Sequence, residues 1–425
     1  MKNSGFEWIE GLPDTWQEIP NRYLFIDHSK KVGEQWKDYQ LLSLTTSGVK
    51  EKDVNVSGGK VPDSYENYQT VEKGDMVFCL FDLDCSAVFS GLSNYNGMIT
   101  SAYDVFMPNH KYLDDLYADY WFQYVFSNRY YKMYSKNIRY TITGEMFKSV
   151  LTPIPSLEEQ KKIGAYLLEK DKQITNLIAN QEKQIEKLKE YKQSVITEAV
   201  TKGLDKSAPL KDSGIEWIGG IPTHWGIKRA KFIANSFSKG SGITKEDIVV
   251  EGDSPCVRYG EIYTKYDGSF DECFTRTNLN KVSSPQYFSY GDILFVCTGE
   301  LVEEIGKNVV YLGKDNCLAG GDIIVMKHKQ NPLYLSYALN SYISQCQKSC
   351  NKAKLKVVHI SAGDVGNVFI AIPSIEEQAN IANFLKVKCD GIDRVIAIKQ
   401  EKIEKLQEYK KSLIYEYVTG KKEVV

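Results

Sequence analysis

Two long segments of the chain carry mainly apolar residues at alternating spacings of three and four. Heptad spacing of this kind gives a narrow apolar stripe, which is stable only against a partner helix. We therefore predict two long helices that pair with each other as an antiparallel coiled coil. The positions in the stripe are Leu167, Asp171, Ile174, Ile178, Gln181, Ile185, Leu188, Lys192 and Val195 in the first segment, and Leu385, Cys389, Ile392, Ile396, Lys399, Ile403, Leu406, Lys410 and Leu413 in the second.

Each predicted helix has a start signal. The sequences SLEE (156–159) and SIEE (374–377) match the S-x-x-E capping box, and a proline precedes each serine. In this motif the serine accepts the N–H of the glutamate, whose side chain reaches back to the serine N–H. We predict that the helices begin at these serines. The polar stripe residues Asp171, Gln181, Lys192, Lys399 and Lys410 are expected to lower stability and to set the register of the pair.

The start signals belong to a longer internal repeat. Three blocks recur in the same order, the first at an offset of 209 residues and the other two at 218. Similarity of this length makes the chain two half-copies, with about nine extra residues in the second. The paired blocks are residues 4–16 with 213–225, residues 154–167 with 372–385, and residues 185–201 with 403–419.

The segments between the blocks have diverged, but both mix strand and helix signals. A Gly-Asp pair before a short apolar run occurs at residues 74–78 and again at 291–295, and we interpret it as a turn and a buried strand without chemistry. Apolar residues at helical spacing follow at 113–125, and Pro332 marks a second helix start. These are α+β domains.

The predicted fold class is therefore α+β, with two domains in pseudo-two-fold repeat separated by two long helices. The predicted boundaries are a first domain at 1–152, a central helix at 153–203, a linker at 204–212, a second domain at 213–370 and a distal helix at 371–425.

Composition excludes several protein classes. The chain has 425 residues, of which 42% are hydrophobic and 25% charged, so a disordered or collagen-like chain is excluded. The net charge is −2, and any nucleic-acid-binding surface must therefore be local. The nine cysteines form no C-x-x-C pair, and no apolar run approaches the roughly 20 residues of a membrane span. We expect a cytoplasmic protein with reduced thiols.

Enzyme motifs are missing from the sequence. It contains no G-x-x-x-x-G-K-[ST] phosphate loop, no G-x-G-x-x-G fingerprint, no H-E-x-x-H pair and no G-x-S-x-G elbow. Cys346, Cys350 and His359 suggest zinc, but a fourth ligand is not evident and the first half-copy lacks these cysteines. We predict no catalytic residue, no cofactor-binding residue and no metal ligand in this chain.

Two basic stretches occupy equivalent places in the half-copies. Residues 120–144 contain four basic and no acidic residues, and residues 323–363 contain six lysines and no acidic residue. One such stretch is more often a solvated surface, but two at equivalent positions favour contact with phosphates and bases. Arg258 and Tyr259 are added because 256–260 reads as a strand that runs into a loop. The candidate DNA-binding residues are Arg129, Lys132, Lys136, Asn137, Arg139, Tyr140, Arg258, Tyr259, Lys348, Lys352, Lys354 and Lys356.

The paired EWIEGLPDTW/EWIGGIPTHW and IPSLEEQ/IPSIEEQ blocks, with diverged segments between them, resemble type I restriction-modification specificity subunits over essentially the full chain. The resemblance implies two target-recognition domains, each reading one half of a split, asymmetric double-stranded DNA sequence. It also implies two methyltransferase subunits as partners, which bind S-adenosylmethionine and methylate adenine, and motor-nuclease (restriction) subunits that use ATP and magnesium. No family motif fixes the base-contacting positions.

Two alternatives remain open. A stand-alone DNA methyltransferase or nuclease is disfavoured because the sequence lacks a cofactor-binding glycine motif and an N-P-P-[YF] tetrapeptide. Methyl transfer from labelled S-adenosylmethionine by the pure chain would identify such an enzyme. A coiled-coil scaffold that binds only proteins would show no sequence-dependent affinity for DNA.

Overall fold

The segments with heptad spacing form helices of 46 and 44 residues. The computed structural model describes residues 1–46, 48–53, 64–85, 90–135, 140–299, 302, 305–350 and 358–424. No helix within these ranges is long and apolar enough to cross a membrane. The helices are α1 (Asn21–Leu24), α2 (Asp115–Ser127), α3 (Gly144–Ser149), α4 (Leu157–Lys202), α5 (Tyr259–Thr264), α6 (Pro332–Asn340), α7 (Tyr342–Ser349), α8 (Ala362–Gly366) and α9 (Ile375–Val418).

The strands are short and fall in the segments outside the long helices. Those of the first half-copy are β1 (Gln17–Pro20), β2 (Phe25–Asp27), β3 (Leu42–Thr45), β4 (Gly48–Glu51), β5 (Gln69–Val71), β6 (Met76–Phe78), β7 (Ser90–Leu92), β8 (Gly97–Ile99), β9 (Asp104–Pro108) and β10 (Leu151–Ile154). Those of the second are β11 (Leu210–Asp212), β12 (Gly220–Pro222), β13 (Gly226–Arg229), β14 (Ala234–Lys239), β15 (Ile248–Val249), β16 (Ser254–Val257), β17 (Ser269–Phe270), β18 (Thr275–Thr277), β19 (Tyr287–Phe288), β20 (Ile293–Val296), β21 (Thr298–Gly299), β22 (Asn308–Tyr311), β23 (Cys317–Ala319), β24 (Ile323–His328), β25 (Val358–His359) and β26 (Phe369–Ile372).

The chain divides into two units, and the first contains Met1–Glu182 and Gln400–Val425. Its central sheet has the antiparallel order β2-β9-β6-β7. The apolar face predicted for α2 is buried in the same core, where Tyr117 and Trp121 are inaccessible. Ile174 of α4 and Leu413 of α9 belong to this core as well, so the helix pair completes it.

The second unit, Lys183–Lys399, repeats this arrangement and extends it. Its first sheet has the order β14-β24-β20-β22-β17, in which only the β17–β22 pair is parallel. A second five-stranded sheet has the order β15-β18-β16-β23-β19. Ile196 of α4 and Leu385 of α9 enter the core with α6. The mixed helix and sheet composition confirms the predicted α+β class.

The Gly-Asp pairs before β6 and β20 form turns. Gly74 and Gly291 have φ angles of +99° and +87°, which glycine adopts without a steric cost. The side chains of Asp75 and Asp292 each accept a backbone N–H three residues earlier, at 2.7 and 2.9 Å. Burial raises the pKa of both carboxyl groups. These aspartates therefore hold turns at the start of core strands.

The antiparallel pairing of α4 and α9 is confirmed. All predicted stripe positions are buried or half-buried. In the second unit, Lys192 Nζ lies 2.7 Å from Asp393 Oδ2, and Lys399 Nζ donates to Gln184 Oε1 at 2.5 Å. Residue numbers fall along one helix as they rise along the other, as antiparallel pairing requires.

Polar residues in the stripe pair across it. In the first unit Asp171 forms an ion pair with Lys410. Lys410 and Lys192 are equivalent in the repeat, so each unit uses the same lysine with an acid from the opposite helix. Burial of Lys192 acts to lower its pKa, but the hydrogen bond to Asp393 and the charge of Asp267 outweigh it and raise the pKa overall. Such paired charges favour one register.

The serines cap the long helices as predicted, but the glutamates have a different role. Ser156 Oγ accepts the N–H of Glu159 at 3.2 Å. The Glu159 carboxylate accepts the indole N–H of Trp16 at 3.0 Å, and Glu377 accepts that of Trp225 at 3.0 Å. The capping box predicted a bond back to the serine N–H. A buried indole donor from the other repeated block takes the carboxylate, which explains why the two blocks occur together.

The helix predicted after Pro332 is divided into two. α6 ends at Asn340, and α7 begins at Tyr342 with Ser341 as its N-cap. Ser341 Oγ accepts the N–H of Ser344 at 3.3 Å, and this cap turns the chain where periodicity alone predicted continuation.

Candidate nucleic-acid interface

A buried glutamine ties the first variable domain (residues 22–152) to α4. Gln160 ends the repeated I-P-S-x-E-E-Q block and has no exposed surface. Its Oε1 accepts the N–H of Asp114 at 2.8 Å, and its Nε2 donates to the carbonyls of Tyr112 and Pro155, both at 2.9 Å. Asp114 is the N-cap of α2. The glutamine thus fixes the point at which this helix begins.

Gln378 does the same in the second variable domain (residues 232–370). Its Oε1 accepts the N–H of Asn331, the N-cap of α6, at 3.0 Å. Its Nε2 donates to the carbonyl of Pro373 at 3.0 Å and to Gln330 Oε1 at 2.8 Å. The repeated block therefore attaches a variable domain to a long helix through its glutamine. We call this attachment the mount, and both domains have it.

A lysine provides a second attachment in the second unit. Lys192 of α4 contacts Asp393 of α9 and also Asp267, whose Oδ2 lies 3.3 Å from Nζ. Asp267 follows α5 in the variable domain. One ammonium group therefore joins both long helices to the domain that carries the candidate DNA contacts.

Three predicted residues of the first basic stretch, Arg129, Lys132 and Tyr140, lie within the described residues. Arg129 follows α2 in the left-handed conformation, with φ +59°, and its side chain is exposed. The Lys132 ammonium lies 4.0 Å from the ring centroid of Tyr140. The carbonyl of Tyr140 accepts the N–H of Leu83 at 3.2 Å, which ties this segment to the turn after β6. Lys136, Asn137 and Arg139 lie outside the described residues.

Most tyrosines interleaved with these charges serve the fold. Tyr131 is buried in the core, and Tyr130 stacks on Trp8 with ring centroids 4.2 Å apart. Tyr134 packs edge-on against Tyr131. Charge and aromatic spacing alone did not separate these core residues from Tyr140.

Lys348 lies in the core, and this corrects its assignment as a phosphate contact. Its side chain is 1% exposed, and its ammonium donates to the carbonyls of Gly306 and Leu339 at 2.7 and 3.0 Å. Burial lowers its pKa to about 7. The ammonium is enclosed by backbone carbonyls, so it has no access to DNA. Lys352, Lys354 and Lys356 lie outside the described residues.

Tyr259 lines a cleft, and Arg258 precedes it at the end of the strand. The strand predicted here is β16, but a short helix and not a loop follows it, with Arg258 at the N-cap position. The Arg258 N–H donates to Glu261 Oε2 at 2.8 Å. Tyr259 is exposed and lines a cleft of about 1000 Å³ in the second unit, with Lys307 and Tyr342 also in its wall.

Of the three candidate cations that the structure describes outside the core, Arg129 is exposed, whereas Lys132 and Arg258 are half-buried and the Arg258 Nε atom is enclosed. Among the described residues, no carboxylate lies within ion-pair distance of Arg129, Lys132 or Arg258. The described chain also contains no group of three or more His, Cys, Asp or Glu side chains that could hold a metal ion. The arrangement suits binding of a polyanion.

Comparison with known proteins identifies the family. Residues 222–408 match the family described as type I restriction modification DNA specificity domain. The chain is 25% identical to the type I restriction enzyme MjaVIII specificity subunit of Methanocaldococcus jannaschii, over 99% of this chain and 96% of that protein. Residues 222–408 belong to this domain family, and the chain resembles type I restriction-modification specificity subunits over its full length. Members of this class are the non-catalytic components of restriction-modification complexes.

Solved structures show the same fold for the specificity subunit. A chain from a structure described as the basis of complex assembly and conformational transition of the type I R-M system matches with TM-score 0.70 and 15% identity, over 96% of this chain and 99% of that one. The HsdS subunit of Thermoanaerobacter tengcongensis matches with TM-score 0.50 and 16% identity, over 96% and 98%. The predicted recognition of the family is confirmed.

The sequence prediction missed one basic surface of the chain. Residues 225–245 contain five basic residues and no acidic one. Lys231 is exposed beside Phe232, and Lys239 is exposed on β14, the edge strand of its sheet. The excess of basic residues in this window indicates such a surface. The sequence prediction considered only the basic stretches that follow the helix of each variable domain.

Proposed function

We propose that this specificity subunit reads a bipartite, asymmetric DNA target, with one half recognised by each variable domain, and that it positions the catalytic subunits on that target. The observation that carries the proposal is the double mount. Gln160 and Gln378 hold two domains in the same way, while the mounted sequences have diverged. Equivalent attachments that hold two diverged domains suit a DNA target made of two unrelated half-sites.

The basic residues support DNA as the ligand. Arg129 is exposed, Lys132 lies over the ring of Tyr140, and Tyr259, which follows Arg258, lines the cleft of the second unit. Lys136, Asn137, Arg139, Lys352, Lys354 and Lys356 remain proposed contacts from the sequence. Phosphate contacts of this kind hold the duplex, whereas contacts to base edges select the sequence.

The proposed partners are two methyltransferase subunits and the motor-nuclease subunits. In this proposal S-adenosylmethionine, ATP and magnesium are used by those partners, and this chain needs no cofactor of its own. The alternative of a protein-only scaffold predicts partner binding without sequence-dependent DNA affinity. The alternative of a stand-alone enzyme predicts methyl transfer by the pure chain.

Exchange of one variable domain tests the proposal. Residues 22–150 are replaced by the equivalent residues of a relative, which leaves β1, β10 and the Trp16–Glu159 bond in place. Mapping methylated bases in cells that contain the partner subunits should show one new half-site and one unchanged half-site. A change in both halves would contradict independent readers, and loss of all sequence preference would favour the scaffold.

Replacing Lys352, Lys354 and Lys356 by glutamine should weaken binding to every DNA sequence. If all three contact phosphates, the slope of log affinity against log salt should fall by roughly 2.7, or about 0.9 per contact. Fluorescence anisotropy of the assembled complex at several salt concentrations measures the slope. The matched control replaces Lys402, Lys405 and Lys411, which are exposed on α9. Equal slopes for both variants would place the 352–356 lysines away from DNA.

A further inference from the structure

The two copies of one repeated tryptophan have different surroundings. Trp8 and Trp217 are equivalent residues of the repeated block at 4–16 and 213–225. Trp8 is half-buried and stacks on Tyr130, with the ring centroids 4.2 Å apart and the ring planes 9° apart. Trp217 is 45% exposed, and no aromatic ring of the described chain lies within stacking distance of its indole. The stacking partner that the first unit provides is therefore missing from the described part of the second unit.

The helices of the variable domains show why this partner is missing. Tyr117 and Tyr334 are equivalent at an offset of 217, since each donates its hydroxyl at 2.8 Å to a backbone carbonyl, in β10 and β26 respectively. At the same offset, Tyr130 corresponds to Gln347. The Gln347 amide donates to the carbonyl of Phe369 at 3.1 Å and accepts its N–H at 2.8 Å. Gln347 is therefore held along β26 and provides no ring for the tryptophan.

A pocket of about 350 Å³ lies beside the Trp217 indole in the second unit, and we call it the Trp217 pocket. The side chains of Ile215, Val368 and Phe369 give it an apolar wall. Gln347, at the position of the first-unit tyrosine, lines it as well. A volume of this size is at the lower end of the range for ligand pockets, so it suits a single aromatic side chain better than a larger ligand.

Charge restricts what this pocket accepts. Among the described residues that line it, the charged ones are Glu216 and Asp364, and both are acidic. Acidic residues repel the phosphates of nucleic acid and attract a cationic segment. The first unit provides the precedent, because its stacked ring belongs to the basic segment 129–132, and Glu7 is the equivalent of Glu216. The chemistry of the pocket therefore fits an aromatic ring with basic neighbours.

We propose that the Trp217 pocket binds a tyrosine side chain that a partner protein presents on a basic segment. The tyrosine ring stacks on Trp217 as Tyr130 stacks on Trp8, and the flanking cations face Glu216 and Asp364. The first unit fills the equivalent place from its own chain, so each chain binds one such segment, at its second unit. A partner that binds there distinguishes two half-copies that are otherwise similar. The inference does not depend on the proposed DNA target.

Fluorine NMR of the full chain labelled with 5-fluorotryptophan tests the inference. The probe is a capped peptide with the sequence of residues 128–132, in which Tyr131→Ser leaves a single aromatic ring. Titration should shift the Trp217 signal, which is assigned by its absence from the Trp217→Leu variant, and leave the other tryptophan signals in place. Replacing the remaining tyrosine of the peptide by alanine should weaken binding about 10-fold, because stacking and burial of the ring are lost.

Three variants of the chain complete the test, with binding followed by line broadening of the peptide proton signals. Trp217→Leu should bind the peptide about 10-fold more weakly. It should unfold at the same urea concentration as the wild type, because Trp217 does not belong to the buried core of the second unit. Glu216→Gln should weaken binding about 2- to 5-fold and reduce its salt dependence. The matched control is Phe274→Leu, which removes an exposed ring outside the pocket and should bind like the wild type.

Several results would overturn the inference. The first is a Trp217 signal that stays in place at millimolar peptide, and the second is equal binding of the tyrosine and alanine peptides. A shift that depends on the concentration of the chain alone would assign the pocket to a second copy of this chain. A shift caused by free adenosine and not by the peptide would assign it to a small aromatic molecule. Peptide binding that occurs only after residues 351–357 are replaced by glycine and serine would assign it to that segment of this chain.

Discussion

Replacing Gln378 by leucine should lower the free energy of unfolding by about 3–5 kcal/mol, because buried hydrogen-bonding groups then lose their partners. Leucine has a similar volume but cannot accept the Asn331 N–H or donate to the Pro373 carbonyl. The bond to Gln330 is lost as well. Urea unfolding followed by tryptophan fluorescence measures the change. Release of the α6 N-cap should also weaken reading of one DNA half-site.

Glu376→Gln is the matched control, since Glu376 is an exposed neighbour on the same turn of α9. It should change the free energy of unfolding by less than about 0.5 kcal/mol. Gln160→Leu should be as damaging as Gln378→Leu, because Gln160 makes the corresponding bonds in the first unit. If Gln378→Leu unfolded at the same urea concentration as the wild type, the mount would depend on packing and not on these bonds.

The helix pair could be predicted from sequence because its cause is local and periodic. The α2 face at Tyr117 and Trp121 was predictable for the same reason, since residues three and four apart share a helix face. The division between α6 and α7 was not, because Ser341 acts as a cap only when its hydroxyl finds the Ser344 N–H. Periodicity does not register such a cap.

The mounts could not be predicted because their partners are far apart in sequence. The capping-box pattern assigns Glu159 a partner three residues away, but its carboxylate accepts from Trp16, 143 residues distant. In the sequence, Gln160 and Gln378 are recognisable only as equivalent residues of the repeat. Their neighbours in sequence do not indicate that they bind the N-cap residues of α2 and α6. Repetition showed that these residues matter, and only the tertiary structure shows how.

Charge counting located basic stretches but not the depth of their side chains. Lys132 is half-buried beside Tyr140, whereas Lys348 is enclosed in the core although it belongs to an equally basic stretch. A lysine can bury its whole length when its ammonium finds carbonyls, as Lys348 does at Gly306 and Leu339. Sequence composition cannot distinguish this case from a solvated lysine.

The buried Lys348 predicts a pH dependence of stability. Burial disfavours the ammonium, so its pKa in the folded chain is about 7 compared with 10.5 for an ordinary lysine. The unfolded chain therefore binds the proton more tightly between these two values. The contribution to stability is fully present above pH 10.5 and is lost as the pH falls through 7.

Raising the pH from 7 to 9 should therefore stabilise the wild type relative to Lys348→Met by about 2 kcal/mol, because the folded lysine becomes neutral while the unfolded one stays charged. Methionine fills a similar volume and does not titrate, so the difference in the free energy of unfolding between the two chains removes the contribution of the thiols and tyrosines they share. Urea unfolding at pH 7, 8 and 9 gives that difference. Lys402→Met, at an exposed position of α9, should differ from the wild type by a constant amount. If the difference in the free energy of unfolding between the wild type and Lys348→Met also stayed constant, the Gly306 and Leu339 carbonyls would hold the Lys348 ammonium charged throughout this pH range. Folding would then release no proton from Lys348.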